Sequence, residues 1–186
     1  MDLTPTPSQT VGPYLHLGMT DKRSIACVAG LGAKGERVWL TFKVLDGEGV
    51  PVPDAMVELW QADAEGNYAQ DASVDGAGFR GFGRLATGED GSCTFETVRP
   101  GLVPGPGETL QAPHVNVSIL GRGILKRLST RLYFAGETAN ATDPILALVP
   151  ENRRVTLLAQ PDPARAGYWI FFVCLRGENE TVFFDV

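Results

Sequence analysis

A single antiparallel Greek-key β-sandwich, all-β with little helix, is the fold predicted for these 186 residues, and three features of the sequence predict it. Short segments with period-two alternation of apolar and polar residues recur along the chain. Turn residues separate them, with 22 Gly and 13 Pro that punctuate the chain and form no low-complexity tract. Helical periodicity is scarce. Many short strands without intervening helices favour a sandwich over a βαβ fold.

Residues 1–14 hold three prolines and neither helical nor strand period, so they read as an extended N-terminal arm ahead of a domain over 15–186. Segment 39–45 alternates as a half-buried strand, and Asp46-Gly47-Glu48-Gly49 turns it. The run 55–60 is mostly apolar, which predicts a strand buried on both faces. Further predicted strands cover 79–85, 92–98, 114–120, 130–134, 155–158, 168–173 and 181–184. Glu89-Asp90-Gly91 and Arg99-Pro100-Gly101 supply turn chemistry around segment 92–98. Only 138–149 could hold a helical turn or two before Pro150. No internal repeat or linker divides the chain.

Composition narrows the function classes. With 44% hydrophobic and 20% charged residues the chain has the make-up of a soluble globular protein. A net charge of −6 and a pI near 4.9 argue against nucleic acid or an anionic membrane surface as partner, since both select basic surfaces. A carboxylated substrate would need a local cation. Cys27, Cys93 and Cys174 are odd in number and far apart, which predicts reduced thiols in a cytoplasmic protein. No run approaches the roughly 18 apolar residues of a membrane span, and the N-terminus lacks a basic-then-apolar leader pattern.

Ala112-Pro-His-Val-Asn-Val117 is the most informative stretch. Alternate side chains of a strand point the same way, so His-x-His would offer two imidazoles to one metal ion. Here the second position is Asn116, whose neutral amide is a poor transition-metal ligand. His16 and His114 are the only histidines, which excludes an all-histidine site within the chain. In a strand over 130–134, Thr130, Leu132 and Phe134 share one face, and Arg131 and Tyr133 take the other. Taken singly, His114 reads as a satisfied buried histidine, Tyr68 as an amphipathic strand-end residue and Arg131 as a solvated cation.

Seven ordered pieces nevertheless resemble the intradiol ring-cleaving dioxygenases over nearly the whole chain. They are Glu58-Leu-Trp-Gln-Ala-Asp-Ala-Glu-Gly-Asn-Tyr68, Phe82-Gly-Arg84, Asp90-Gly91, Thr97-Val-Arg-Pro-Gly101, Ala112-Pro-His114, Thr130-Arg-Leu-Tyr-Phe134 and Gly177-Glu-Asn-Glu-Thr-Val-Phe-Phe-Asp185. Iron-carrying members of that family bind Fe(III) through two tyrosines and two histidines. Hard anionic phenolates suit ferric iron, and imidazoles complete its shell.

By position, the resemblance implies that this chain keeps Tyr68 and His114 and has Val103 and Asn116 at the other two ligand positions. It therefore implies a non-iron α chain, which binds no metal itself and pairs with a β chain that holds Fe(III). The heteromer would cleave 3,4-dihydroxybenzoate with O2 between the hydroxylated carbons. The resemblance further implies that the arm, through Thr10, Gly12, Pro13 and Tyr14, lines part of the partner's pocket. Gly12 would let backbone approach a flat ring, and Pro13 would fix its path. Arg131 would offer its planar fork to the substrate's carboxylate at the mouth of the partner's pocket, with Lys126 and Arg127 as the nearby alternatives. Another reading is a non-catalytic binding module of the transthyretin-like sandwich type, which needs neither the arm nor the 130–134 motif. A self-sufficient catechol dioxygenase would instead carry helices ahead of the sandwich and a complete ligand set.

Overall fold

The computed structural model describes residues 5–21, 23–69 and 78–185. Residues 1–4 of the predicted arm, and 22, 70–77 and 186 of the predicted domain, lie outside them. Ten strands follow in order: β1 (Arg37–Leu45), β2 (Met56–Gln61), β3 (Phe82–Ala86), β4 (Ser92–Val98), β5 (Val103–Pro104), β6 (Leu110–Gln111), β7 (His114–Leu120), β8 (Leu128–Phe134), β9 (Leu158–Pro161) and β10 (Tyr168–Cys174). β5 and β6 form a small separate ribbon, and the other eight strands run in the order β3-β2-β7-β8-β9-β10-β1-β4. The chain leaves β1, makes the β2–β3 hairpin in the facing half, and returns to set β4 beside β1, a Greek-key crossover.

The predicted sandwich is therefore present, with one amendment. Two pairings, β1 with β10 and β8 with β9, are parallel, while the others are antiparallel. Segment 25–29 spans the seam between the two ends of the sheet order. Ile25 bridges Arg84 of β3, and Cys27 bridges Glu96 of β4. Ile25 N–H donates to Arg84 O at 2.7 Å and Val28 N–H to Glu96 O at 2.8 Å.

Alternation sets the core. Val38, Leu40, Phe42 and Val44 of β1 are fully buried, with Phe95 of β4, Val57 and Leu59 of β2, Val115, Val117 and Ile119 of β7 and Leu132 of β8 opposite or beside them. Phe42 meets Phe95 and Phe171 edge-on at 5.6 and 5.8 Å, the arrangement aromatic quadrupoles favour. Gly83 makes room for this packing, since a Cβ there would lie 2.8 Å from both Phe95 and Val28. Gln61, also fully buried, has its polar atoms paired: Nε2 donates to Ala62 O and Val98 O at 3.0 and 2.9 Å, and Oε1 accepts from the Thr97 hydroxyl at 3.0 Å. It thereby ties β2 to the end of β4.

Three local expectations are corrected. The predicted strand at 155–158 is a 3-10 turn over Val155–Leu157, and β9 starts only at Leu158. The α-helical turn Glu151–Arg154 begins directly after Pro150 and runs into it. Thr156 closes that turn by donating to Arg153 O at 2.8 Å, which outweighs the β-propensity of Val155 and Thr156. At 181–184 there is no strand but a single bridge, Phe184 to Ser129, because Thr181 turns inward and accepts from Cys174 N–H at 3.0 Å. The arm is extended only through Gly12. A helical turn Pro13–Leu15 follows and continues as a π-helix over His16–Asp21, so Tyr14 is helical. Pro13 sits where a helix needs no N–H, and its fixed φ suits the first turn. As expected, 138–149 holds short turns, Thr138–Thr142 and Leu146–Leu148. Among the described residues no helix is long and apolar enough to cross a membrane.

Candidate functional site

The site lies on the outer face of β2, β7 and β8. Val115, Val117 and Ile119 of β7 face the core, which turns His114, Asn116 and Ser118 the other way. On β8, Leu132 and Phe134 face the core, leaving Arg131 and Tyr133 opposite, as predicted. The register sets Trp60, Asn116 and Arg131 in one cross-strand row and His114 beside Tyr133.

Tyr68 reaches this row through a tight loop. Asp63 Oδ1 accepts the Glu65 and Asn67 N–H groups at 2.9 Å each, and Gly66 adopts φ 86°. A Cβ on Gly66 would fall 1.9 Å from Leu102 O, so only glycine lets the loop pass under the strand carrying Val103. Tyr68 then stacks on Trp60 at 5.9 Å with an interplanar angle of 8°.

Hydrogen bonds at His114 fix its tautomer. Nδ1 lies 2.7 Å from Ala112 O, which can only accept, so Nδ1 carries the proton. Nε2 is left as an acceptor for the Tyr68 hydroxyl at 3.4 Å. Asn116 Nδ2 donates to the same Tyr68 oxygen at 3.3 Å. Burial, aided by the nearby Arg131 cation, pushes the His114 pKa down to about 4.

Behind them, Asp143 is 1% exposed and saturated with donors. Its Oδ2 accepts Ala112 N–H at 2.7 Å, and its Oδ1 accepts the Tyr133 hydroxyl at 3.1 Å and the Ile145 and Leu146 N–H groups at 2.9 and 2.6 Å. Arg131 Nη1 donates to Gln111 Oε1 at 2.8 Å and more weakly to Tyr133 Oη at 3.4 Å. Gln111 pairs with Val103 across the β5–β6 ribbon.

Three of the four ligand positions, Tyr68, His114 and Asn116, thus meet in hydrogen-bond contact. Val103, buried, joins them only through Gln111, which receives Arg131. The arm lies elsewhere. Thr10 Oγ1 accepts Gly123 N–H at 2.8 Å and donates to Gly121 O at 3.4 Å, beyond the far end of β7. From His114 to Gly121 the strand rise amounts to about 20 Å. Tyr14 is 82% exposed, and a Cβ on Gly12 would meet nothing within 4 Å. Asp143, Gln111 and Trp60 were missed as site residues. The Asp143-Pro144 dipeptide is a turn signal that marked the place without the role.

The donor set does not fit ferric iron. Tyr68 is the one anionic donor available, His114 the one imidazole, and the remaining positions offer an aliphatic side chain and an amide N–H turned toward the phenol. Among the described residues no group of three or more His, Cys, Asp or Glu side chains could hold a metal ion.

Because the folded chain holds His114 neutral to about pH 4, an unfolded chain binds more protons between about pH 6.5 and 4. The resulting stability is fully present above that window and lost as pH falls through it, by about 3 kcal/mol. Urea unfolding at stepped pH checks this, and His114→Asn should flatten the acid limb.

Residues 10–173 match a family model described as Dioxygenase. The chain is 44% identical to the protocatechuate 3,4-dioxygenase alpha chain of Burkholderia cepacia, over 99% of this chain and 98% of that one. It is 36% identical to the beta chain from the same organism, over 79% and 67% of the two chains. Among solved structures, the dioxygenase domain of a dioxygenase carbohydrate-binding protein fusion from Streptomyces sp. SirexAA-E superposes with a TM-score of 0.63 at 29% identity, over 94% of this chain and 99% of that one. Sandwich, motif order and relatives agree: the chain belongs to the intradiol ring-cleavage dioxygenase family.

Proposed function

We propose that this chain is the non-iron α subunit of a cytoplasmic protocatechuate 3,4-dioxygenase, working in aromatic catabolism beside a homologous β chain that holds Fe(III). The observation that carries this reading is the Tyr68–His114–Asn116 cluster, a family ligand pocket closed by hydrogen bonds among its own side chains. Near-full-length similarity to an alpha chain supports it, as does the existence of a related beta chain. The heteromer would take 3,4-dihydroxybenzoate and O2 to 3-carboxy-cis,cis-muconate. This chain contributes pocket wall and charge recognition. Thr10, Gly12, Pro13 and Tyr14 lie far from this chain's own cluster, which suits an arm that lines the partner's pocket. Arg131 supplies the cation for the substrate's carboxylate at the mouth of that pocket, held in position through neutral oxygens that leave its charge unspent.

Purified apart from its partner, the chain should carry no ferric iron, lack the visible tyrosinate-to-iron charge-transfer band and turn over no substrate. Mixing with the β chain should give a heteromer with iron equal to the β content. A coloured, stoichiometrically iron-loaded chain would sink the reading.

Deleting residues 1–13 should leave assembly largely intact and lower turnover, since none of the described residues 5–13 belongs to the core. Size-exclusion and steady-state kinetics on the truncated heteromer separate the two effects. Unchanged kinetics would return the arm to a frayed tail.

Arg131→Ala in the heteromer should weaken kcat/KM for protocatechuate about ten- to a hundredfold, since a charge-assisted contact contributes roughly 1.5–3 kcal/mol. Catechol lacks the carboxylate and should change much less, with iron content unaltered. Arg131→Lys should recover only part of the loss, because ammonium restores charge without the fork. Equal losses for both substrates would assign Arg131 to shaping the interface.

A further inference from the structure

The guanidinium of Arg131 has two supports of unequal strength. Nη1 donates to Gln111 Oε1 at 2.8 Å, a bond of full strength, and to Tyr133 Oη at 3.4 Å, a weak one. Gln111 is therefore the main support. It belongs to neither layer of the sandwich but to the β5–β6 ribbon, where it pairs with Val103. Its other end fixes which way the amide faces. Nε2 donates to Pro104 O at 2.9 Å, so a flipped amide would set oxygen against a carbonyl and N–H against a guanidinium.

The ribbon is a stiff mount. Gly105 N–H donates to Thr109 O at 2.9 Å and the Thr109 hydroxyl to Pro106 O at 2.7 Å, which closes the tip. Pro104 and Pro106 restrict its backbone even before folding. At the base, the N–H of Ala112, the residue after Gln111, is clamped by Asp143 at 2.7 Å. A long arginine side chain loses rotamer freedom when it is held, and here that loss precedes any ligand. The support is also uncharged. Among the described residues Arg131 is in no ion pair, and Asp185, which lines the same cleft, lies 3.3 Å from Lys126 Nζ. A glutamate at position 111 would hold the guanidinium as firmly and neutralise it.

We propose that Gln111 is a positioning residue for substrate selection, acting through Arg131: it fixes the guanidinium where that group meets the carboxylate and leaves its charge available. The ribbon that carries Val103 thereby serves as the mount of the arginine. This rests on the reading of Arg131 as the carboxylate's cation, and adds the residue through which that selectivity is set.

Steady-state kinetics on the heteromer test it, read as the ratio of kcat/KM for protocatechuate to that for catechol. Gln111→Leu should lower this ratio about three- to tenfold, through a higher KM for protocatechuate at little-changed kcat. Gln111→Glu keeps the acceptor and the side-chain length, yet should lower the ratio at least as far, because it neutralises the cation. Being nearly isosteric, it also decides the matter if the leucine variant fails to assemble. Combined with Arg131→Ala, Gln111→Leu should change the ratio no further. A ratio unmoved by Gln111→Leu or by Gln111→Glu, where Arg131→Ala moves it, overturns the proposal and leaves the reading of Arg131 standing. So does an equal loss for both substrates, or an effect of Gln111→Leu that persists without Arg131. If Arg131→Ala leaves the ratio unmoved, or the chain forms no active heteromer, the reading of Arg131 itself falls and the proposal with it.

Discussion

The buried carboxylate of Asp143 is the constraint on which the site depends. It clamps the start of β7 through Ala112 N–H, β8 through the Tyr133 hydroxyl, and the turn at 145–146 through two further N–H groups. Ala112 is then held on both sides, its N–H by Asp143 and its carbonyl by His114 Nδ1. The imidazole orientation is therefore a consequence of a carboxylate two residues and one loop away. Removing such an acceptor strands several buried donors at about 1–3 kcal/mol each. The cost far exceeds what the long Tyr68 contacts, at 3.3 and 3.4 Å, contribute. The scaffold is strong and the cluster it presents is weak, which is the reverse of a metal centre, where coordination itself fixes the ligands.

The strands with clear alternation were legible in the sequence because burial on one face enforces period two. β1, β4, β7 and β8 follow it, and Arg131 and Tyr133 fall on the face that the pattern assigned. What escaped was decided by contacts distant in sequence or by capping. β5 and β6 are two residues long and exist because Gly66 lets Leu102 pass closely over the loop. Val155 and Thr156 favour strand intrinsically, yet Pro150 starts a helix that carries through them. The parallel partnership of β1 with β10 joins segments more than a hundred residues apart, which no local pattern encodes. At the site, Tyr68 and His114 could be named from motifs, but Asp143 could not. A buried aspartate in sequence looks the same as an exposed one.

Neutral hydrogen bonds join Tyr68, His114 and Asn116 on the loop and strand that present them. An imidazole kept neutral by burial, a phenol that donates to it and an amide that donates to the phenol satisfy one another with no net charge.

Segment 25–29 has a further consequence for how this molecule can associate. By bridging Arg84 and Glu96 it occupies backbone groups on the flanks of β3 and β4, the first and last strands of the sheet order. A sheet with both flanks occupied offers little template for strand addition, the usual route to runaway polymerisation. Growth of an oligomer must then proceed through faces, loops and the arm, whose side chains differ between homologous chains. Backbone pairing is nearly blind to sequence, whereas side-chain surfaces are not. The seam thus favours association through specific side-chain surfaces over an indefinite stack of paired edges.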